Sequence, residues 1–297
     1  MMERVRHRHH GRRLLSSGSR RNRKTYGDVL MLLLIALMAL FSIVPLIMSV
    51  SMALKPIHEL FYYPPKIFAE NPTLDNFRLL FNLMQSTRVS FSRYVFNTLF
   101  ITVTVTVGHV FLASMAAFPL AKMKIPFVKT LNSIVLLSLM FVPAVTDVAN
   151  YLTVSWLGWL DTYRASIVPA MGASLGLFIM RNYMTTIPDT LIEAAHIDGC
   201  SNYRLYWQII MPMSRPAWLT VIILTFQQTW NLDNSNYAYA ESLKTLPYAF
   251  SQITSGSLIR MGAAQAVGVV MLVLPAVVFM VNQTRIIDTM ATSGIKE

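Results

Sequence analysis

The chain is 297 residues long, 54% hydrophobic and only 13% charged, against about a quarter charged in an ordinary soluble domain, and this balance is that of an integral membrane protein. A single cysteine, Cys200, excludes an internal disulfide framework. The formal charge of +11 does not point to nucleic acid, because nine of the 25 Lys and Arg residues precede Asp28 and form a tail, not a basic domain.

That tail, residues 1–28, contains "RVRHRHHGRRLLSSGSRRNRK". His7, His9 and His10 could be read as metal ligands, and an Arg-rich, acid-poor stretch as an organellar targeting peptide. The plainer expectation is a cytoplasmic, lipid-attracted segment that holds the N-terminus inside. The next run, "VLMLLLIALMALFSIVPLIMSV", is too long for the apolar region of a cleaved signal peptide. It is expected to stay as a membrane helix.

A hydrocarbon core about 30 Å thick needs about 20 mostly apolar helical residues. Runs at 29–51, 95–119, 129–152, 165–183, 216–235 and 262–282 meet that test. Backbone polar groups cannot stay unpaired in lipid, so these predict an all-α membrane bundle of six transmembrane helices with both termini cytoplasmic. The basic tail supplies nearly all of the orienting charge. The expected division is the tail 1–28, a first helix with a long outer loop over 29–93, a five-helix core over 94–285, and a cytoplasmic C-terminal tail 286–297.

Within the second run, His109 is an ionisable group deep in the membrane, hence a functional suspect; a histidine bonded to a neighbouring helix is the favoured expectation. Pro45, Pro143 and Pro275 permit kinks. On the fourth run Gly172 and Gly176 lie one turn apart, a spacing that lets helices pack closely.

Between the fourth and fifth runs the chain turns soluble: "DTLIEAAHIDGCSNYRLYWQIIMP". Pro188 suits a helix start, Gly199 the left-handed residue that ends it, and Ser201 the cap of a second helix. Tyr203, Tyr206, Trp207 and Ile210 then recur at helical spacing, and Pro212 discourages continuation. The product is an elbow of two short helices spanning 186–214, with Glu193 beside the small Ala194 and Ala195. One carboxylate among small side chains suits docking to another protein.

The fifth run is apolar only over "PAWLTVIILTF" and then becomes "QQTWNLDNSN". Half a helix cannot face lipid with such residues, so Gln227, Gln228, Trp230, Asn231, Asp233 and Asn234 either line a path for a neutral polyhydroxylated ligand or begin an outer loop. The sequence has no Gly-x-x-x-x-Gly-Lys-Ser/Thr phosphate loop and no His-Glu-x-x-His, and its one Gly-x-Ser-x-Gly string, "GASLG" at 172–176, lies inside the fourth apolar run, where the two glycines are read as packing positions. Catalytic and metal sites are therefore not expected on this chain.

The elbow resembles the EAA loop of ATP-binding-cassette importer permeases, with Glu193, Ala194, Ala195, Asp198, Gly199, Ile209 and Pro212 on its pattern. "LGWLDTYRASIVPA", "FQQTWN", "SLKTLPYAF" and the final "ATSGIKE" extend the likeness to the carbohydrate, maltose-permease type over nearly everything after about residue 70. The family often has Asp directly after Trp-Asn, whereas Asp233 here is displaced by one. The resemblance implies a type I importer permease fold in a prokaryotic plasma membrane. It also implies a second homologous permease, two ATPase subunits that bind ATP and magnesium, and an extracytoplasmic solute-binding protein. Glu193 would then contact a basic ATPase residue, Ala194 and Ala195 would allow close approach, Gly199 would bend the elbow, residues 237–262 would meet the binding protein, and "ATSGIKE" would reach between the ATPases. A non-sugar solute and an ion-coupled secondary transporter are the alternatives.

Overall fold

The computed structural model describes residues 26–64, 66–85, 89–141, 143–255 and 260–293. The expectations for residues 1–25 and for the last four residues lie outside that range. Among the described residues all regular structure is helical.

The chain divides into two units. The first ends at Leu46 and holds most of α1 (Tyr26–Leu54), a helix apolar on every side with Pro45 inside it. The second begins at Ile47. It contains α2 (Ile57–Leu60), α3 (Asp75–Gln85), α4 (Phe91–Lys122), α5 (Val128–Met140), α6 (Pro143–Trp156), α7 (Tyr163–Met171) and α8 (Ser174–Thr185). There follow α9 (Asp189–Ile197), α10 (Asn202–Leu205), α11 (Met211–Met213), α12 (Arg215–Trp230), α13 (Leu246–Thr254) and α14 (Met261–Ser293).

Among the described residues, four helical stretches are long and apolar enough to cross a membrane: Val29–Leu54, Phe91–Lys122, Tyr163–Thr185 and Met261–Met280. Two further helix pairs pass the same test only as bent units, which makes six if each pair is one crossing. The third run is thus not one straight helix. It breaks between α5 and Val145–Trp156 with a bend of 108°, where Phe141 is already extended (φ −76°, ψ 128°) and Pro143 opens α6, since a proline disfavours helix before it. The fifth run also differs from expectation. Its helix stops at Trp230, short of residue 235, and α12 passes the length test only when taken together with Asn202–Met213, which meets it at 75°.

Helix α4 is the hub, packed by α7, α8, α12 and α13. Small residues bring these helices together. A Cβ on Gly108 would lie 2.3 Å from the Met171 methyl, and one on Gly176 would lie 2.0 Å from Nε2 of His109. His109 is buried, and its Nδ1 donates to the Met171 carbonyl at 2.8 Å, because a carbonyl can only accept. The ring is bonded to a neighbouring helix, as expected. Gly172 differs from Gly176: it caps α7, and a Cβ there would meet only the Pro169 carbonyl at 3.5 Å.

Two apolar cores result. One joins α4, α8, α12 and the elbow through Ala117, Phe118, Met180, Met184, Ala195, Leu205 and Ile210. The other joins α3, α4, α12, α13 and α14 through Leu80, Tyr94, Phe226, Trp230, Leu246 and Val267.

Candidate functional site

The elbow is built from local chemistry. Pro188 is extended (φ −61°, ψ 134°) and stands one residue before α9 as its cap. Gly199 ends the helix at φ +76°, with its N–H bonded to the His196 carbonyl at 3.0 Å and that of Cys200 bonded back to Ala195 at 2.9 Å. This paired closure satisfies carbonyls that a helix end would otherwise leave open. Ser201 then caps α10, its Oγ accepting from the Arg204 N–H at 3.4 Å.

Beyond α10 the chain widens into a π turn over Tyr206–Ile210, in which the Met211 N–H reaches the Tyr206 carbonyl. Pro212 has no N–H to give and its ring crowds the carbonyl four residues back, so a wider turn ahead of it relieves both problems. The four residues read as one face therefore form two stripes. Tyr206 and Ile210 point inward at 6% and 0% exposure, whereas Tyr203 and Trp207 remain 76% and 40% exposed.

The inner stripe fastens the elbow to α4. The Tyr206 hydroxyl lies 2.7 Å from that of Ser114, and its ring packs 5.8 Å from Phe118. A second fastening was not foreseen from the sequence. Lys122, at the end of α4, has only 5% of its side chain exposed; it donates to Asp189 Oδ1 at 2.6 Å and to the Ile187 carbonyl at 2.5 Å, with Thr185 at 3.4 Å. A lysine closing an apolar run just before a helix C-terminus was the available signal.

The opposite face of the elbow is open. Glu193, Ala194, Asp198 and Gly199 are exposed, and so is Ile197, at 86%. Ala195 is not part of this face; it is buried in the core beneath it. Ile197 and Tyr203 are exposed on the elbow as well, and Ile197 is an apolar addition the sequence reading missed. A carboxylate flanked by small and apolar side chains can accept one charged bond at the centre of a close, mostly apolar contact.

The polar residues at the far end of α12 divide by environment. Trp230 is 1% exposed, donates its indole N–H to the Met271 carbonyl at 2.9 Å and stacks on Phe226 with ring centres 5.9 Å apart. Asn234 is 2% exposed, gives its amide N–H to the Leu243 carbonyl and accepts from the Thr245 N–H. Both are buried and hydrogen-bonded within the scaffold. Gln227, Gln228, Asn231 and Asp233 are exposed. Asn231 bonds back to the Gln227 carbonyl, and Asp233 accepts from the Ser235 N–H. Gln228 sits beside His109, Gly176 and Thr225 at a small cavity of about 10 Å³. The loop that follows is tied to other parts of the chain: Asp161 accepts the N–H groups of Tyr239 and Ala240, and Asn97 on α4 donates to the carbonyls of Ser242 and Lys244. Among the described residues no group of His, Cys, Asp and Glu side chains could hold a metal ion.

A family model described as "Binding-protein-dependent transport system inner membrane component" matches residues 14–290. Among curated relatives, Protein LplC of Bacillus subtilis is 33% identical over 165 residues, covering 56% of this chain and 54% of that protein. The sn-glycerol-3-phosphate transport system permease protein UgpE of Yersinia enterocolitica is 28% identical over 141 residues, 48% of this chain and 50% of that one. The match thus spans about half the length of these two relatives. The polygalacturonan/rhamnogalacturonan transport system permease protein YtcP of Bacillus subtilis is 27% identical over 204 residues, 69% of each chain. One solved structure, a chain of a bacterial ABC transporter involved in the import of the acidic polysaccharide alginate, shares the fold. Its TM-score is 0.74 at 19% identity, over 88% of this chain and 98% of that one.

Proposed function

The chain belongs to the family of binding-protein-dependent transport system inner membrane components, and from that premise we propose that it is one permease subunit of an ATP-driven carbohydrate importer. The family match and the transport systems for which its relatives are named support a sugar or sugar-like solute. Because the sequence lacks a phosphate-binding loop, ATP and magnesium belong to two separate ATPase subunits. A second permease completes the path and a solute-binding protein delivers to it.

The observation that carries the coupling role is the elbow's two-sidedness. One side is fixed to α4 by Tyr206–Ser114 and by Lys122, and the other presents Glu193, Ala194, Ile197 and Tyr203 to solvent. When the ATPase pair closes, Glu193 meets a basic residue, and the elbow moves as a rigid lever between them. Its fastenings pass that motion to α4 and, through the bend at Ser214, to α12. Nucleotide thereby shifts the population between two access states, to the extent that it binds one of them more tightly. Gln227, Gln228, Asn231 and Asp233 are the polar wall available to the solute on this chain.

Reconstitution with the companion permease, ATPases and binding protein tests this reading. Uptake of labelled sugars requires internal ATP and survives a protonophore if the proposal holds. Uptake that persists without ATP and collapses with the protonophore assigns the chain to ion-coupled transport instead.

A further inference from the structure

The segment between α1 and α3 is short of regular structure yet firmly held. Glu59 is 6% exposed, and its carboxylate accepts from the N–H groups of Glu70 and Asn71 at 3.0 Å each and from the Asn71 side chain at 3.1 Å. Lys55, 3% exposed, donates to the Lys66 carbonyl. Asn76 then ties this frame to two crossings. Its amide donates to the carbonyls of Ala53 and Lys55, at the end of α1, and its Oδ1 lies 2.0 Å from where a Cβ on Gly262 would stand, at the start of α14. The Thr73 N–H closes the loop on the Leu54 carbonyl at 2.8 Å.

A polar frame this complete holds apolar side chains outward. Phe61, Tyr62, Tyr63 and Phe68 are 52%, 46%, 96% and 69% exposed, and Lys66 hangs 5.7 Å from the Tyr62 ring. The frame holds them on a segment that Lys55 and Asn76 tie to the ends of two apolar crossings, at Leu54 and Met261. Aromatic rings with hydroxyl tips and a lysine whose stem lies along them are the side chains that favour the boundary between headgroups and acyl chains. In water four such rings would leave apolar surface exposed at a cost; at that boundary the rings are buried while the hydroxyls of Tyr62 and Tyr63 stay wet.

We propose that residues 57–64 and 66–70 form a rigid aromatic foot seated in the bilayer interface, and that its partner is lipid, not protein. The foot sets the depth of the adjoining ends of α1 and α14 while the elbow end of the bundle moves. This assignment does not rest on the identity of the transported solute.

Because Cys200 is the chain's one cysteine, a Cys200→Ser background allows single nitroxide labels at Tyr63→Cys and Phe68→Cys, with Arg78→Cys, 78% exposed on α3, as the aqueous reference. The full chain is placed in lipid nanodiscs, and collision with oxygen is compared with collision with a water-soluble nickel complex. The expected result is oxygen access exceeding nickel access at 63 and 68, with the order reversed at 78. Nickel access at 63 and 68 equal to that at 78 overturns the proposal, whether or not added binding protein then shields them. Labels closed to both reagents also overturn it, since a protein surface then covers the patch. Folding of each labelled variant is checked by monodispersity and helical circular dichroism.

Discussion

Replacing Lys122 by Met isolates the fastening of the elbow, because the apolar stem is kept while the ammonium and its bonds are removed. The ammonium makes two short bonds, to Asp189 and to the Ile187 carbonyl, and a long one to Thr185. Hydrogen bonds involving a charged partner contribute about 1.5–3 kcal/mol each. The Asp189 bond counts for much less, since that carboxylate is 77% exposed and water takes over when the lysine leaves. The Ile187 carbonyl, on a residue 5% exposed, loses its donor with little recourse to solvent. The sum is about 2 kcal/mol of local anchoring, equivalent to a roughly 30-fold rise in the detached population of the elbow. Hydrogen exchange of the Asp189–Ile197 amides reads this directly: it accelerates by about that factor while exchange in the middle of α4 is unchanged. In the reconstituted transporter the solute moved per ATP falls, and Lys122→Arg restores most of it. Elbow exchange equal to wild type in the Met variant, or acceleration spread evenly over the whole bundle, refutes the reasoning.

Two glycines separate backbone strain from crowding. Gly199→Ala places a side chain in open space at φ +76° and costs about 1 kcal/mol, whereas Gly176→Ala drives a methyl into the His109 ring and costs up to about 3 kcal/mol; thermal unfolding in detergent ranks them in that order. Trp230→Phe removes the bond to Met271 and lowers stability by about 1–2 kcal/mol without altering solute preference. Gln228→Ala does the reverse, shifting the KM for uptake at unchanged melting temperature. For Glu59, burial alone would raise the carboxyl pKa, but the N–H groups of Glu70 and Asn71, the Asn71 amide and nearby His58 outweigh it and hold it below the ordinary 4.5. A depressed carboxyl pKa stabilises the folded loop above the unfolded value, and that stabilisation is lost as pH falls through the folded one. Proteolysis of the 55–74 loop should therefore accelerate in acid below about pH 4.5, and Glu59→Gln should flatten the profile.

The crossings and the elbow were legible because their signals are local. Gly199 announces a left-handed helix end whatever surrounds it, and an apolar run long enough to cross a bilayer has no other stable conformation in lipid. Features that depend on partners distant in sequence were not legible. Nothing near Trp230 tells that its indole reaches Met271, or near Asn234 that its amide bridges Leu243 and Thr245, so the sequence left both open between a solute path and an outer loop. Ala195 reads the same as Ala194 in a motif; only the packing of α9 on α4 and α8 sends one inward and leaves the other outside. The π turn at Tyr206–Ile210 likewise split a stripe that regular helical spacing had drawn as one. Lys122 acts across 67 residues of sequence, beyond the reach of any pattern.

The central claim is that the open face of the elbow is where ATP-driven motion enters this chain. Purified chain is incubated in detergent with its ATPase and permease companions, wild type against Glu193→Arg, and scored for assembly and for ATP turnover stimulated by the binding protein. The account predicts that wild type assembles and that the charge reversal, on an exposed residue with no structural bond to lose, releases the ATPases or uncouples their turnover. A variant that assembles, turns over and transports like wild type would contradict it.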